Sequence, residues 1–290
     1  MLQKADVVVR SFQAGKNSET FNSQRFIEGV ARPIGRILAS EHVSSVIVVT
    51  CGEGVYAEMP TNGMLPTIVA LEEYFKKEIL AGRLIPHVCT SWGLNAGSAT
   101  ALNEGSRIAL RHNAQFIMNW SPELSVTPDT IAQAFAHIER HSLDACGFLR
   151  SHWYMKLQWM VPQNTGAIWS ARVVRNIGRF AEACNGDGQT TVETEGFGEA
   201  PLAGMEDFEA ILRLFKAALQ SRQPFPRLGM VCRAQPCFWD LSRKETGEYA
   251  DKMKKIARQV SVMEAYAHHV FPDQSFEDTL ATVMSHTYFD

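Results

Sequence analysis

Two adjacent carboxylates, Glu206 and Asp207, stand where a helix is predicted to begin. A carboxylate can accept a proton from a hydroxyl group, which is the task of a general base. The positive end of a helix also favours an acid in its first turn, so a purely structural role remains an alternative. Capping explains one acid and does not require two. We therefore take the pair as a candidate catalytic site.

Polar residues also follow three apolar segments that are predicted to be strands. They are Gly52 and Glu53 after the second segment, Asn95 and Gly97 after the third, and Asn119, Ser121 and Glu123 around the end of the fourth. Open α/β sheets bind ligands outside the carboxyl ends of their strands. Simple turns use the same residue types, so each group alone is compatible with either role.

Two common phosphate-binding motifs do not account for these residues. Gly15-Lys16 resembles the end of a P-loop, but that loop requires a glycine where this chain has Arg10. The segment Gly93–Gly97 lacks the G-x-G-x-x-G spacing of a dinucleotide site. The sequence therefore supports neither a P-loop enzyme nor a dinucleotide-dependent dehydrogenase.

Strands and helices alternate along residues 1–225 and would position the candidate residues. Short apolar runs predict strands, and apolar residues recurring every three or four positions predict helices. The predicted strands are Ala5–Phe12, Val43–Thr50, Leu84–Cys89 and Ala114–Asn119, and the predicted helices include Ser98–Arg111, one that starts at Thr127 and Gly204–Gln220. Pro33 should kink the first helix or delay its start. This order indicates an α/β fold with a mostly parallel sheet covered on both faces.

Residues 226–290 show helical periodicity alone. An apolar stripe from Tyr249 to Ala267 predicts a long amphipathic helix, and Ser275 with Asp278 predicts the start of a last helix by a capping box. We expect a domain at 1–225 and a C-terminal helical extension at 226–290. The extension would pack on the first domain or on a second subunit, so an oligomer is possible.

The composition narrows the functional class. The chain has 290 residues, is 46% hydrophobic and carries a formal net charge of -3. These values fit a globular protein, and the absence of a basic run argues against nucleic-acid binding. No segment suits a secretion signal or a membrane span, and the cysteines are widely spaced as in reduced proteins. We expect a cytoplasmic protein without an integral membrane segment.

Taken in order, these segments resemble a GT-A fold glycosyltransferase of the inverting family 2 type, over residues 5–220. The resemblance is carried by Arg10-Ser11-Phe12, Val46–Glu53, Asn95–Gly97, Ala101–Ala109, Phe116–Ser121, Ile177–Phe180 and Gly204–Arg213. It implies a Rossmann-like α/β domain that moves a sugar from a nucleotide-diphosphate donor to a hydroxyl group of a glycan, lipid or protein acceptor.

The resemblance also implies roles for individual residues. Asp207 would be the base that deprotonates the acceptor, assisted by Glu206. The donor would contact Ser11, Phe12, Gly52, Glu53, Asn95, Gly97, Asn119 and Ser121. Charge on the leaving group would be stabilised by backbone amides or by a basic side chain such as Lys16.

This chain departs from the family at two acidic motifs. Thr50-Cys51 replaces the acid expected after the second strand, and Asn119-Trp120-Ser121 replaces the D-x-D motif that binds a divalent cation. Neutral Asn and Ser are weak ligands for Mg²⁺ or Mn²⁺, and Glu123 is the nearby carboxylate that could substitute. We therefore expect weak metal dependence.

Two other functions remain open at this point. The loss of both acidic motifs is compatible with a catalytically inactive GT-A-like protein that binds a nucleotide, a glycan or a partner. A sugar-1-phosphate nucleotidylyltransferase would have a related fold, but its glycine-rich first loop is missing.

Overall fold

The computed structural model describes residues 2–11, 23–51, 64–89, 98–122, 124–148, 161–164, 166–180, 192–194, 198–200, 206–231 and 263–290. The strands are β1 (Ala5–Ser11), β2 (Val43–Cys51), β3 (Leu84–Cys89), β4 (Phe116–Trp120), β5 (Ala145–Phe148), β6 (Gly166–Ser170), β7 (Val192–Thr194), β8 (Gly198–Ala200), β9 (Leu228–Val231) and β10 (Thr287–Phe289). Eight of them form one sheet in the order β10-β9-β5-β6-β4-β1-β2-β3, and β7 pairs with β8 separately.

The eight-stranded sheet is parallel except at β6. This strand runs antiparallel to both of its neighbours, β4 and β5. Its first residue, Gly166, pairs with Trp120 at the end of β4. The residues that precede β6 therefore lie at the edge of the sheet where the parallel strands β1 to β4 end. We call this edge the carboxyl edge.

Helices cover both faces of the sheet. They are α1 (Ser23–Phe26), α2 (Arg32–Leu38), α3 (Pro66–Tyr74), α4 (Lys76–Leu80), α5 (Ser98–Arg111), α6 (Pro128–His141), α7 (Ala171–Ile177), α8 (Glu206–Ser221), α9 (263–270) and α10 (Phe276–Ser285). No helix among the described residues is both long enough and apolar enough to cross a membrane.

The sheet divides the core into two layers, and successive side chains of each strand belong to opposite layers. Val8 and Ile117 pack with α5, α7, α8 and α9 on one face of the sheet, which we call the α8 face. Val9 and Met118, their immediate neighbours in the chain, pack with α2, α3 and α6 on the other. Successive side chains of a strand point to opposite faces, so a residue two positions from Val8 shares its face.

Helix α5 packs unusually close to the sheet. A Cβ atom at Gly105 would lie 2.3 Å from Cγ1 of Val8, so only glycine allows this approach. The predicted helix from Ser98 to Arg111 is confirmed at both ends.

The α/β class with a mostly parallel sheet and helices on both faces is confirmed. Thr127 caps α6 by accepting a hydrogen bond from the Thr130 N–H, and Ser275 caps α10 in the same way from Asp278. Pro33 lies in the first turn of α2, which begins at Arg32. A π-helical turn, Ile27–Ala31, comes directly before it and continues into α2.

The C-terminal segment contributes strands as well as helices. β9 pairs in parallel with β5, and β10 pairs in parallel with β9, so both extend the main sheet. Neither strand was expected from the helical periodicity of residues 226–290. In the predicted helix from Tyr249 to Ala267, residues 263–267 are helical in α9, and residues 249–262 lie outside the described part. The division at 225/226 remains a prediction.

Candidate functional site

Asn119 occupies the end of β4 and is fully buried on the α8 face. Its backbone pairs with Val8 on β1 and with Ala167 on β6. A buried amide must find hydrogen-bond partners or cost free energy. Its side-chain Nδ2 donates to Oδ1 of Asn164, at 2.9 Å. The strand-end polar residue predicted from the sequence is therefore held by a side chain 45 positions later in the chain.

Asn164 lies in the turn before β6 and is itself buried. Its Oδ1 also accepts a hydrogen bond of 3.1 Å from Nε1 of Trp169. An indole N–H can only donate, so the atom that faces it must be the amide oxygen. The Asn164 oxygen is thereby fixed, and Asn119 must present its nitrogen. Trp169 thus sets the orientation of both amides.

Asp207 meets this pair at the start of α8. The backbone N–H of Asn164 donates to Oδ2 of Asp207 at 3.0 Å, and the N–H of Phe208 donates to Oδ1 at 2.9 Å. The second contact lies within the first helical turn, as the capping interpretation requires. The first is a tertiary contact across 43 residues. Asp207 is half-buried, whereas Phe208 beside it is buried in the core, so the carboxylate faces away from that core.

One atom of each amide lacks a partner. Oδ1 of Asn119 and Nδ2 of Asn164 are buried and make no hydrogen bond in the described part of the chain. A buried polar group left unsatisfied costs about 1 to 3 kcal/mol, and native proteins usually supply water or a ligand there. The two atoms differ in kind, because one accepts and the other donates. Together they suit a group such as a hydroxyl, which can do both.

A further acid on α8, Glu209, belongs to a separate cluster. Its side chain is buried, Nε of Arg213 lies 2.6 Å from its Oε1, and Nη2 of Arg213 donates to Oε2 at 3.0 Å. The Tyr266 hydroxyl donates to Oε1 at 3.1 Å. Arg213 also donates to the carbonyl oxygens of Ile177 and Arg179. This cluster fixes α8 against α9 and against the end of α7.

Two segments of the sequence resemblance are joined directly. Asn103 on α5 donates from Nδ2 to the carbonyl oxygen of Phe180 at 2.9 Å and accepts from the Phe180 N–H at 2.8 Å. A side-chain amide paired in this way copies the hydrogen bonding of a strand neighbour. The pair ties α5 to the segment that follows α7, and Trp169 packs edge-on against the Phe180 ring.

Several predicted site residues lie outside the described part of the chain. They are Phe12, Gly52, Glu53, Asn95, Gly97 and Glu123. The backbones of Ser11 and Glu206 are described as parts of β1 and α8. The structure thus brings together Asn119 and Asp207 among the predicted residues, and the same edge of the sheet also carries Ser11 and the half-buried Ser121.

Asn164 was not predicted from the sequence. An asparagine close to a glycine, here Asn164 and Gly166, is typical of any turn, so its residue type alone does not mark it as part of a site. The signal that identifies it is spatial, because Asn119, Trp169 and Asp207 all bond to it.

The described residues do not fit the divalent cation that the resemblance implies. Mg²⁺ and Mn²⁺ prefer charged oxygen ligands, whereas Asn119 and Ser121 are neutral and Asn119 donates its N–H to Asn164. Within the described ranges, no group of three His, Cys, Asp or Glu side chains is arranged to hold a metal ion.

The order and direction of the strands agree with a GT-A fold, and comparison with solved structures shows the same. The chain resembles residues 1–349 of S. aureus TarS in complex with UDP, with a TM-score of 0.53 and 12% identity over 97% of this chain and 71% of that one. TarS itself gives a TM-score of 0.50 and 12% identity over 95% of this chain and 45% of TarS. Glucosyl-3-phosphoglycerate synthase from Mycobacterium tuberculosis gives 0.48 and 10% over 92% and 80%.

At 12% identity, the likeness to TarS establishes the fold and nothing finer. No family model matches the sequence, and no curated protein matches it either. The GT-A type α/β fold is therefore shown by structure, as the sequence motifs predicted.

Proposed function

We propose that this protein is a glycosyltransferase that moves a sugar from a nucleoside-diphosphate donor to a hydroxyl acceptor with inversion. The acceptor hydroxyl would give its proton to Asp207 as it attacks the anomeric carbon, and the nucleoside diphosphate would leave from the opposite side. Inversion follows from a single displacement, which needs one base and no covalent intermediate.

The observation that carries this proposal is the chain of hydrogen bonds from Asn119 through Asn164 to Asp207. The resemblance assigns Asn119 to the donor side of the site and Asp207 to the acceptor side. These two positions are 88 residues apart in the sequence, yet a single residue contacts both. A carboxylate that only capped its helix would not require the contact to Asn164. UDP bound to TarS, which shares the fold, supports a uridine nucleotide as the first donor to try.

The remaining predicted residues are assigned within this proposal. Glu206 would help to hold the acceptor. The donor would contact Ser11, Phe12, Gly52, Glu53, Asn95, Gly97 and Ser121. Any residual need for Mg²⁺ or Mn²⁺ would pass through Glu123. We further propose a cytoplasmic location and, through the C-terminal helices, contact with a second subunit.

A second candidate function is favoured by one feature of Asn119. This residue is neutral, fully buried and engaged by Asn164, as in a site that has lost transfer and kept the fold. Under this alternative the protein binds a nucleotide or a glycan without turnover.

One experiment separates these two functions. The purified chain is incubated with a panel of UDP-, GDP-, CDP- and ADP-sugars, with and without simple sugar acceptors, and both nucleotide binding and release of nucleoside diphosphate are measured. Release that depends on an acceptor and gives a product of inverted configuration supports the glycosyltransferase. Binding without release supports the inactive protein, and neither binding nor release contradicts both.

A further inference from the structure

We propose that the buried amides of Asn119 and Asn164 bind hydroxyl groups of the donor's sugar and so select neutral, hydroxylated sugars for transfer. This inference rests on the proposed function and deepens it, because it names the chemical class of the transferred group. The sequence resemblance assigned Asn119 to the donor without saying which part of it, and gave Asn164 no role.

Trp169 fixes which atoms of the two amides remain for a ligand. Its indole N–H donates to Oδ1 of Asn164 at 3.1 Å, and the same oxygen accepts from Nδ2 of Asn119 at 2.9 Å. Reversing either amide would place a nitrogen against a nitrogen or an oxygen against an oxygen. In the described part of the chain, the atoms left without a partner are therefore Oδ1 of Asn119 and Nδ2 of Asn164.

The two unpartnered atoms lie close enough for one sugar to reach both. They belong to amides joined by a hydrogen bond of 2.9 Å, and the oxygen and nitrogen of one amide are about 2.3 Å apart. The two atoms are therefore separated by at most about 7.5 Å. Hydroxyl groups around one pyranose ring span a similar distance, so a single ring can satisfy both atoms.

The amide pair lies just beneath the surface of the carboxyl edge. Asn119 and Asn164 are buried, but Ser121 and Gln163, which lie within two residues of them in the chain, are half-buried. The backbone N–H of Asn164 also donates to the carboxylate of Asp207, the proposed base. A sugar held by the two amides would therefore lie beside the group that activates the acceptor.

One acceptor and one donor together discriminate between substituents of a sugar. A hydroxyl group can donate to Oδ1 of Asn119 and accept from Nδ2 of Asn164, whereas a carboxylate only accepts and an ammonium group only donates. A substituent that cannot do both leaves a buried amide atom unpaired, and a site built for a hydroxyl group rejects such a ligand. The charge of the diphosphate is left to other groups such as Lys16, which lies outside the described part of the chain.

The test measures binding of UDP-, GDP-, CDP- and ADP-glucose by calorimetry, and then of each singly deoxygenated glucose analogue of the nucleotide that binds most tightly. Asn164→Asp replaces Nδ2 by an oxygen and keeps Oδ1 for Trp169 and Asn119, while Asn119→Ala removes the other ligand-facing atom. Asn176→Asp, at an exposed position of α7, is the matched control for the added charge. Thermal unfolding of each free variant checks that it folds.

At least one deoxygenated analogue should bind the wild type about 10- to 100-fold more weakly than its parent, the range for leaving a buried polar group unpaired. In Asn164→Asp and in Asn119→Ala, the parent itself should bind more weakly. The ratio of the two affinities should then approach one, because the missing hydroxyl and the missing amide atom belong to the same hydrogen bond. Asn176→Asp should keep the ratio of the wild type.

Two outcomes would overturn the inference and leave the proposed function standing. Equal binding of the parent and every analogue by the wild type would mean that the amides hold only water. A ratio unchanged in a folded variant of either amide would place the recognised hydroxyl elsewhere. If the wild type binds none of the glucose nucleotides, the inference also fails, and release of nucleoside diphosphate from the wider panel of sugar nucleotides decides separately on the proposed function.

Discussion

Two of the acids on helix α8, Asp207 and Glu209, lie in opposite surroundings. Glu209 is buried and faces a guanidinium and a phenol, while the described contacts of Asp207 are two backbone N–H groups at a half-buried position. The two residues are separated by one position, so the same helix end serves both. Arginine neutralises the charge at Glu209 permanently.

This difference leads us to expect a structural role for Glu209 and a catalytic role for Asp207. A carboxylate held by arginine and tyrosine is a poor base, because its charge is already shared with strong donors. Asp207 is half-buried, so a hydroxyl group can reach its carboxylate, whereas the carboxylate of Glu209 is closed off in the core. We therefore expect loss of Asp207 to affect transfer, and loss of the Glu209 cluster to affect stability.

The largest effect is expected for Asp207→Asn. This change keeps the size of the side chain and removes the base, so transfer should fall by about 10²- to 10⁴-fold. The free energy of unfolding should change by no more than about 1 kcal/mol, the scale of a first-turn acid. Initial rates and urea unfolding of the same samples measure both.

Asp129→Asn is the matched control, because Asp129 also stands in the first turn of a helix, α6. Its transfer rate should equal that of the wild type. An Asp207→Asn variant that retains full transfer, or that mainly loses stability, would make Asp207 a capping residue and remove the contrast with Glu209.

Arg213→Ala should have the largest effect on stability. It leaves Glu209 buried and without its guanidinium, and breaking a buried ion pair in this way costs about 3 to 5 kcal/mol. Urea unfolding measures the loss. Arg107→Ala is the control, since Arg107 pairs with Glu104 on the exposed side of α5 and should cost under about 1 kcal/mol. Equal losses in the two variants would show that the Glu209 cluster is no more than a surface pair.

Substitutions of the two buried amides, Asn119 and Asn164, are expected to reduce the free energy of unfolding by an intermediate amount. Asn164→Leu leaves Nε1 of Trp169 and the whole Asn119 amide unpaired, and we expect it to cost about 2 to 3 kcal/mol. Asn119→Leu removes the unpartnered Oδ1 and leaves the bond between Trp169 and Asn164 intact, so about 1 kcal/mol is expected. Urea unfolding ranks the two variants. The reverse order would mean that Asn119, and not Asn164, organises the site.

The smallest effect concerns pH. The hydrogen bond from Arg107 holds the pKa of Glu104 below its ordinary value of 4.5, with His87 contributing at 2.9 Å. A lowered pKa in the folded state stabilises the protein above pH 4.5, and this contribution disappears as the pH falls through the folded pKa. Glu104→Gln should therefore reduce the free energy of unfolding by under about 1 kcal/mol at pH 7 and by nothing at strongly acidic pH. A difference independent of pH would assign the effect to packing.

The sequence predicted most of the fold, because each element carries its own signal. Apolar periodicity predicted β4 and α8 within two residues of their observed bounds. The preference of acids for the first turn of a helix agreed with the predicted start of α8. β9 and β10 were missed because strands of four and three residues show no periodicity of their own and depend on the sheet for their pairing.

The site was only half predictable for the same reason. Asn119 and Asp207 are marked locally, by a strand end and a helix start. The importance of Asn164 comes from contacts across 45 and 43 residues, which no local pattern contains. The direction of β6 creates these contacts, and sequence alone does not fix which strand of a sheet runs backwards.

The reversed strand β6 also determines when during folding the site can exist. The hydrogen bonds that join Asn164 to Asn119 and to Asp207 each close a long loop of chain. Contacts between distant segments form slowly because loop closure costs entropy. A nascent chain that ends at β6 contains Asn119 and Asn164 but lacks Asp207. The hydrogen bond between Asn164 and Asp207 therefore cannot yet form. The candidate site is therefore expected to appear in one late step, when α8 docks. Trp169, bonded to Asn164, offers a natural fluorescent signal for that step.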